Sequence, residues 1–275
     1  HQPAYMMKEY GQCTTRPGTG KVTCAEDERG SWFSHKAEVS KPYYYSVYLA
    51  DYDVTTEITA TERAAHFQIT FPENEQSSIV IDAFDKGSYI KIIPSENKII
   101  GYTTRNSGGV PENFKNYFVL QFDKPFATNY TWHDKVLEKD KLELKDDHVG
   151  AIVGFKTKKG EIVNVKVSSS FISQEQAELN LKNELGTASF KETVAESKKE
   201  WNKVLGKLTA EGGSDEQLKT FYSCLYRTAC FPQKQYEING KGEIVHYSPY
   251  NGKVLPGYMY AGTGFWDTFR ALYPL

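Results

Sequence analysis

The chain has 275 residues, 39% of them apolar and 14% aromatic, enough to bury the core of one or two domains. Its 33 Lys and Arg against 35 Asp and Glu leave a formal charge of −2, which excludes a global field that would steer it to nucleic acid or an anionic membrane. No apolar run approaches the roughly 20 residues of a membrane span, and no internal repeat or low-complexity tract breaks the sequence.

The opening HQPAYMMKEYG has neither the charged nor the apolar stretch of a signal peptide. With no initiating Met, the chain is expected to be truncated. Cys13 and Cys24 are eleven apart and Cys224 and Cys230 six apart, and neither spacing is a zinc or redox pattern. A Cys13–Cys24 bridge could close a loop; buried free thiols are the expectation adopted for the cysteines.

Residues 1 to about 170 read as β, with period-two or β-branched runs between turn signals. Strands are predicted at Tyr43–Leu49, Val54–Thr61, Ala64–Phe71, Ser78–Asp82, Tyr89–Ile93, Lys98–Thr104, Tyr117–Phe122, Val149–Phe155 and Ile162–Ser168. Many short strands without a helical pattern imply an antiparallel two-sheet sandwich. The charge-dense stretch Asp134–Asp147 reads as a solvated loop or edge. His35 and His66 lie in strand-like contexts and are read as structural. Glu57 and Glu62 are five apart, so on one continuous strand they face opposite ways and cannot act as a pair. Asn129-Tyr130-Thr131 fits a glycosylation sequon, which a bacterial chain would leave unmodified.

At Ser173 the period changes from two to 3.6. Three capping boxes, Ser173/Gln176, Ser189/Glu192 and Ser214/Gln217, open helical patterns. Ala177, Leu181 and Leu185 share one stripe, closed by Gly186. Phe190, Val194, Trp201, Val204 and Leu208 form a second, and Leu218, Phe221, Tyr222, Leu225 and Ala229 a third, ended by Pro232. The predicted organisation is a sandwich over 1–172, linker helices over 173–210 and a new helical domain beginning at 211.

The last forty residues are the densest in chemistry. Tyr236–Val245 predicts a hairpin turning at Asn239–Gly242, Tyr247–Gly257 a Pro- and Gly-rich loop, and Phe265–Leu272 a helix start. Tyr247, Tyr250, Tyr258, Tyr260, Phe265, Trp266 and Phe269 are interleaved with hydrogen-bonding groups. A pyranose, with apolar C–H patches and a rim of hydroxyls, needs that combination. Trp266 offers a flat face and Asp267 an acceptor for paired hydroxyls; the plainer alternative is a core tryptophan beside a helix-capping carboxylate. Gly262-Thr263-Gly264 is no phosphate loop, since no Gly-Lys-Ser/Thr follows.

The segment HYSPYNGKVLPGYMYAGTGFWDTFRALYPL closely resembles the start of the catalytic domain of glycoside hydrolase family 92, the calcium-dependent exo-α-mannosidases. His1-Gln2-Pro3, Tyr10-Gly11, Ser31–Glu38, Tyr43–Val47 and Glu57–Arg63 resemble its N-terminal sandwich, and Phe221–Pro232 its first catalytic-domain helix. The resemblance implies a β-sandwich followed by linker helices and the first part of an (α/α)6 barrel. It implies inverting hydrolysis that removes terminal α-mannose from glycans such as N-glycans or yeast mannan, with Ca2+ on the sugar's O2 and O3 hydroxyls. By position, Trp266 and Asp267 match the pair lining the subsite for the terminal mannose, Arg270 supports Asp267, and His1 and Gln2 reach over from the sandwich. The catalytic acid, base and calcium ligands of the family fall beyond Leu275, so the remainder of the catalytic domain is an expected partner and the chain alone is expected to be inactive. The chain departs from many members at Met6, where they carry Trp, and at Gly262, where they carry Asp. Glycan substrates imply a bacterial, extracytoplasmic site of action: periplasm, cell surface or secretion. A non-catalytic carbohydrate-binding sandwich and a purely structural domain are the competing expectations.

Overall fold

This computed structural model describes residues 8–10, 31–133 and 136–268, and of 8–10, 265 and 267 the backbone alone. The sandwich strands are β1 (Lys8–Tyr10), β2 (Val39–Lys41), β3 (Tyr44–Leu49), β4 (Val54–Ala60), β5 (Ala64–Phe71), β6 (Asn74–Asp82) and β7 (Ser88–Ile93). They continue with β8 (Lys98–Thr103), β9 (Asn116–Phe122), β10 (Thr128–His133), β11 (Val136–Glu138), β12 (Glu143–Asp146), β13 (Val149–Thr157) and β14 (Glu161–Ser170). One sheet has the order β1-β6-β13-β10-β11, the other β12-β7-β8-β9-β14-β5-β4-β3-β2. Every pairing is antiparallel, as the alternating pattern implies.

The core lies between the sheets. Ile79 and Ile81 of β6 and Val149, Ala151 and Val153 of β13 meet Ile69, Ile99, Leu120, Val163 and Val165 of the larger sheet. A smaller cluster of Val80, Trp132 and Ile152 covers the other face of the small sheet. There the Trp132 ring lies where a Cβ on Gly150 would stand, 2.2 Å from two of its atoms.

The nine predicted strands are all present, within a few residues at each end. The strands that sequence left out are short or polar. The stretch Asp134–Asp147, read as loop or edge, holds β11 and β12, which are edge strands of the two sheets. Charged side chains on such edges blunt pairing with other chains. His35 is not in a strand: it opens a 3-10 turn, His35–Ala37, capped by Ser34. Its ring is largely exposed, with Nδ1 2.6 Å from Glu38.

Three helices follow: α1 (Gln174–Glu184), α2 (Phe190–Leu205) and α3 (Asp215–Ala229). All three begin at the predicted serines, but only Ser189/Glu192 and Ser214/Gln217 close full capping boxes. Ser173 accepts from the Gln176 N–H, whereas the Gln176 side chain turns inward to Asn180 and the Ile238 carbonyl. Helix α1 packs on β14 and β9, and α2 on β4 and β5. The residues α2 buries are Phe190, Thr193 and Ser197. Val204 and Leu208, placed in its apolar stripe, are exposed. The face follows what the sheet offers: Ser197 donates to the Ala60 carbonyl at 3.0 Å. Cys224 and Cys230 are free, and Cys224 is exposed rather than buried; Cys13 and Cys24 lie outside the described residues.

His66 is structural. It points from β5 beneath α2, 2% exposed, with its ring edge-to-face on Phe190 at 5.4 Å and Nδ1 3.3 Å from Thr193 Oγ1. Burial, reinforced by the Lys166 charge, pushes its pKa down to about 4. The unfolded chain takes up a proton near the ordinary value and the folded chain does not. The stability tied to His66 is therefore complete above about pH 6.5 and is lost as pH falls from there toward 4. Urea titrations across that window are expected to show this decline, and His66→Leu to remove its share of it.

Candidate functional site

The chain after α3 folds onto one end of the large sheet, where the β4–β5 turn, the β8–β9 loop and the end of β14 come together. Its strands are β15 (Gln233–Lys234), β16 (Tyr236–Ile238), β17 (Ile244–Tyr247), β18 (Val254–Pro256) and β19 (Tyr260–Ala261), and α4 covers Phe265–Thr268. The predicted hairpin is β16–β17. Asn239 shapes its turn by accepting from the Lys241 and Glu243 N–H groups, and Gly242 takes a φ of +79°. The segment 247–257, expected to be loop, contributes β18, which pairs with β17. Two-residue pairing of β15 with β19 brings Ala261 beside Gln233.

Two clusters fasten this layer to the sandwich. At one, Asn113 of the β8–β9 loop donates to the Gly252 carbonyl at 2.8 Å and accepts from the Tyr247 hydroxyl at 3.1 Å. The Tyr247 ring packs edge-to-face on Phe114 at 6.0 Å. At the other, Arg63 of the β4–β5 turn donates to the Tyr236 carbonyl and lies over the Tyr236 ring, 5.5 Å from its centre. Arg63 also pairs with Glu62 at 3.0 Å and Glu184 at 3.6 Å, and Glu62 reaches Lys234. Burial opposes ionisation of Glu62, but Lys234 and Arg63 hold its carboxyl below the usual range. Glu57 instead bonds Tyr44 and Gln68, so Glu57 and Glu62 are not a catalytic pair.

Between these clusters Glu237 is buried. Burial pushes its carboxyl up, against hydrogen bonds from Asn180, Ser170 and the Phe171 N–H that favour the anion. A cavity of about 570 Å³ lies between α2, the end of α3, β15 and the Glu62–Arg63 turn, with Trp201, Glu200 and Gln233 in its wall. Trp266 does not line it.

Several aromatic side chains of the last forty residues face outward: Tyr250 is 89% exposed, Tyr258 64%, Tyr260 53% and Trp266 86%. Tyr236 joins Tyr258 and Tyr260 in edge-to-face contacts at 4.8 and 5.6 Å. Trp266 sits in the single turn of α4, where Thr268 donates to the Gly264 carbonyl at 2.7 Å. It is not a core tryptophan among the described residues. Asp267 is in the same turn, its side chain not described, and Arg270, His1 and Gln2 lie outside the described residues. Among the described residues no group of three His, Cys, Asp or Glu side chains could hold a metal ion. No described helix is long and apolar enough to cross a membrane.

Sequence reasoning missed Arg63, Asn113, Asn180 and Glu237. Their only sequence signal is a polar residue at a turn or in an otherwise ordinary element, which a solvated side chain gives equally.

An antiparallel sandwich thus carries helices on its outer face and an aromatic hairpin layer at its loop tips. Residues 1–170 match the glycosyl hydrolase family 92 N-terminal domain and residues 176–275 the glycosyl hydrolase family 92 catalytic domain. The chain belongs to glycosyl hydrolase family 92. It is similar to a family GH92 inverting mannosidase from Bacteroides thetaiotaomicron, with 42% identity and a TM-score of 0.88 over 92% of this chain and 34% of that one. It is also similar to a family GH92 α-mannosidase from the same organism solved with mannoimidazole, at 30% identity and a TM-score of 0.80, covering 89% of this chain and 33% of that one. A further glycosyl hydrolase of the family, 24% identical with a TM-score of 0.76, shows the shared fold alone. The chain thus spans about a third of the length of these solved relatives. Among curated proteins nothing matches the chain.

Arg63→Ala removes a charge-assisted bond to backbone, two ion pairs and a ring contact in one step. It is expected to cost about 1.5–3 kcal/mol, read by chemical denaturation.

Proposed function

We propose that this chain supplies one wall of the pocket for a terminal α-linked mannose in an exo-acting, inverting α-mannosidase. Family membership across both parts of the chain carries the proposal, and the outward-facing Trp266 supports it. The indole gives a face for the sugar's C–H patch, and Asp267 accepts hydrogen bonds from adjacent hydroxyls. Arg270, His1 and Gln2 are proposed to serve the same sugar site, as the family resemblance implies. A carboxylic acid that protonates the departing oxygen and a carboxylate that activates water are the chemistry of inversion. Both belong to the rest of the whole protein.

Calcium is part of the proposal only for that whole protein, where hard oxygen ligands outside the described residues would hold it. No step in this chain passes through it. The substrates are mannose-capped glycans, which are met outside the cytoplasm, so periplasm, cell surface or secretion is the proposed place of action. The domain plan is likewise proposed: a sandwich to residue 172, linker helices to 210, and the start of the (α/α)6 barrel from 211.

In the whole enzyme, Asp267→Ala is expected to lower kcat/KM at least about 10²-fold, the scale of a lost charge-assisted contact. Near-normal kinetics would remove Asp267 from the pocket. Calorimetric titration with mannose separates the alternatives. Heat that vanishes in Asp267→Ala supports the wall, whereas heat that survives it moves the sugar to a binding module on the sandwich. Chelation by EDTA is expected to abolish activity of the whole enzyme while leaving the melting of the sandwich unmoved; activity that survives chelation would end the calcium proposal.

A further inference from the structure

All three residues of β16 are gripped by the sandwich and α1. The Tyr236 carbonyl accepts from Arg63, and the Ile238 carbonyl accepts from Gln176 Nε2 at 2.8 Å. Between them the Glu237 side chain, 3% exposed, enters the junction. One carboxylate oxygen accepts from the Ser170 hydroxyl at 3.0 Å and the Phe171 N–H at 3.1 Å. The other accepts from Asn180 Nδ2 at 2.6 Å.

The polarity of this set is fixed from outside. Asn180 Nδ2 also donates to the Ser169 carbonyl at 3.0 Å, and its Oδ1 accepts from Gln176 Nε2 at 2.9 Å. The Asn180 amide cannot turn over without losing both bonds. Each oxygen of Glu237 therefore faces an N–H donor, the Phe171 amide on one side and Asn180 Nδ2 on the other, and an amide there would set one donor against another.

Stability does not account for a carboxylate in such a place. Exchanging a buried charge for a well-packed apolar group is often neutral or favourable, whereas directional bonds define one arrangement among several. The arrangement at stake extends beyond β16. Its strand continues back through Gln235, whose N–H bonds the Met259 carbonyl at 2.8 Å, into β15, which pairs with β19. Ala261 of β19 lies four residues before α4.

We propose that Glu237 is a positioning residue: it sets the register of the β16–β18 hairpin on the sandwich and, through β15 and β19, the placement of Trp266. The consequence for a sugar rests on the function proposed above; the docking of the hairpin does not.

Hydrogen exchange on the 275-residue chain tests this. In Glu237→Gln the amides of β17, β18 and β19 are expected to exchange about tenfold faster, the scale of one net hydrogen bond in a local opening, with β5, β9 and β14 unchanged. A merely structural role predicts that β5, β9 and β14 loosen together with the hairpin layer. Unchanged exchange in Glu237→Gln overturns the proposal. If Glu237→Gln melts the sandwich as well, Ser170→Ala takes its place: loosening confined to the hairpin layer supports the proposal, and uniform loosening overturns it. Mannose titrated into the whole enzyme reports separately, since absence of binding by the wild type there removes the sugar pocket and leaves the exchange result standing.

Discussion

Strand β14 is the constraint on which the other parts depend. It pairs with β5 on one side and β9 on the other, so its register cannot slip without turning Val163, Val165 and Val167 out of the core. Its opposite face is polar and lies under the helices, with Lys166 donating to the Gly186 carbonyl at 2.8 Å. Its last residues run past the end of β5 while still paired with β9, and carry groups that must be satisfied. The Ser169 carbonyl takes Asn180 of α1, and Ser170 takes Glu237 of β16. A register fixed by apolar packing inside the sandwich is thereby passed to the helix layer and to the hairpin layer.

The two halves of the chain are held by different physics. The sandwich has a continuous apolar core, whereas α3 buries none of its residues among those described and the hairpin layer buries little beyond Tyr247 that is apolar. Polar bonds and ring contacts attach that layer: Arg63 to Tyr236, Asn113 to Gly252 and Tyr247, Glu237 to Ser170, Phe171 and Asn180. Directional contacts of this kind fix orientation more than they add stability. The stripe of α3 is open, with Phe221 39% exposed.

The sandwich was legible because strands buried on one face advertise themselves by alternation. The runs around Ile69, Ile99, Leu120 and Val165 are such cases. Helix starts were legible because Ser173, Ser189 and Ser214 serve as caps through short-range geometry. What sequence did not carry was tertiary context. Helix α2 turns Thr193 and Ser197 to the sheet, not its most apolar stripe, because His66 and the Ala60 carbonyl sit beneath it. Strand β18 was hidden in a Pro- and Gly-rich run because its partner β17, not its own propensity, makes it a strand. The aromatic density after Tyr236 pointed to the region of interest. It could not reveal which rings face out, since Tyr247 and Tyr250 are three residues apart and lie at opposite extremes of burial.

That contrast bears on how exposed rings are held at the end of a sheet. Tyr247 is drawn inward by Asn113 and Phe114, and Tyr236 is occupied by Arg63. Tyr250 is carried between the anchors at Tyr247 and Gly252, whereas Tyr258 and Trp266 follow them in the chain. An aromatic ring left exposed on a flexible strand would lose its geometry to conformational entropy. Anchoring Tyr247 and Gly252 to the loop tip places Tyr250 on a backbone already held at both sides. The anchors are sandwich residues, so part of the order in the hairpin layer resides in the domain beside it. Exposed rings ahead of α4 and buried polar fasteners behind them are therefore two aspects of one arrangement.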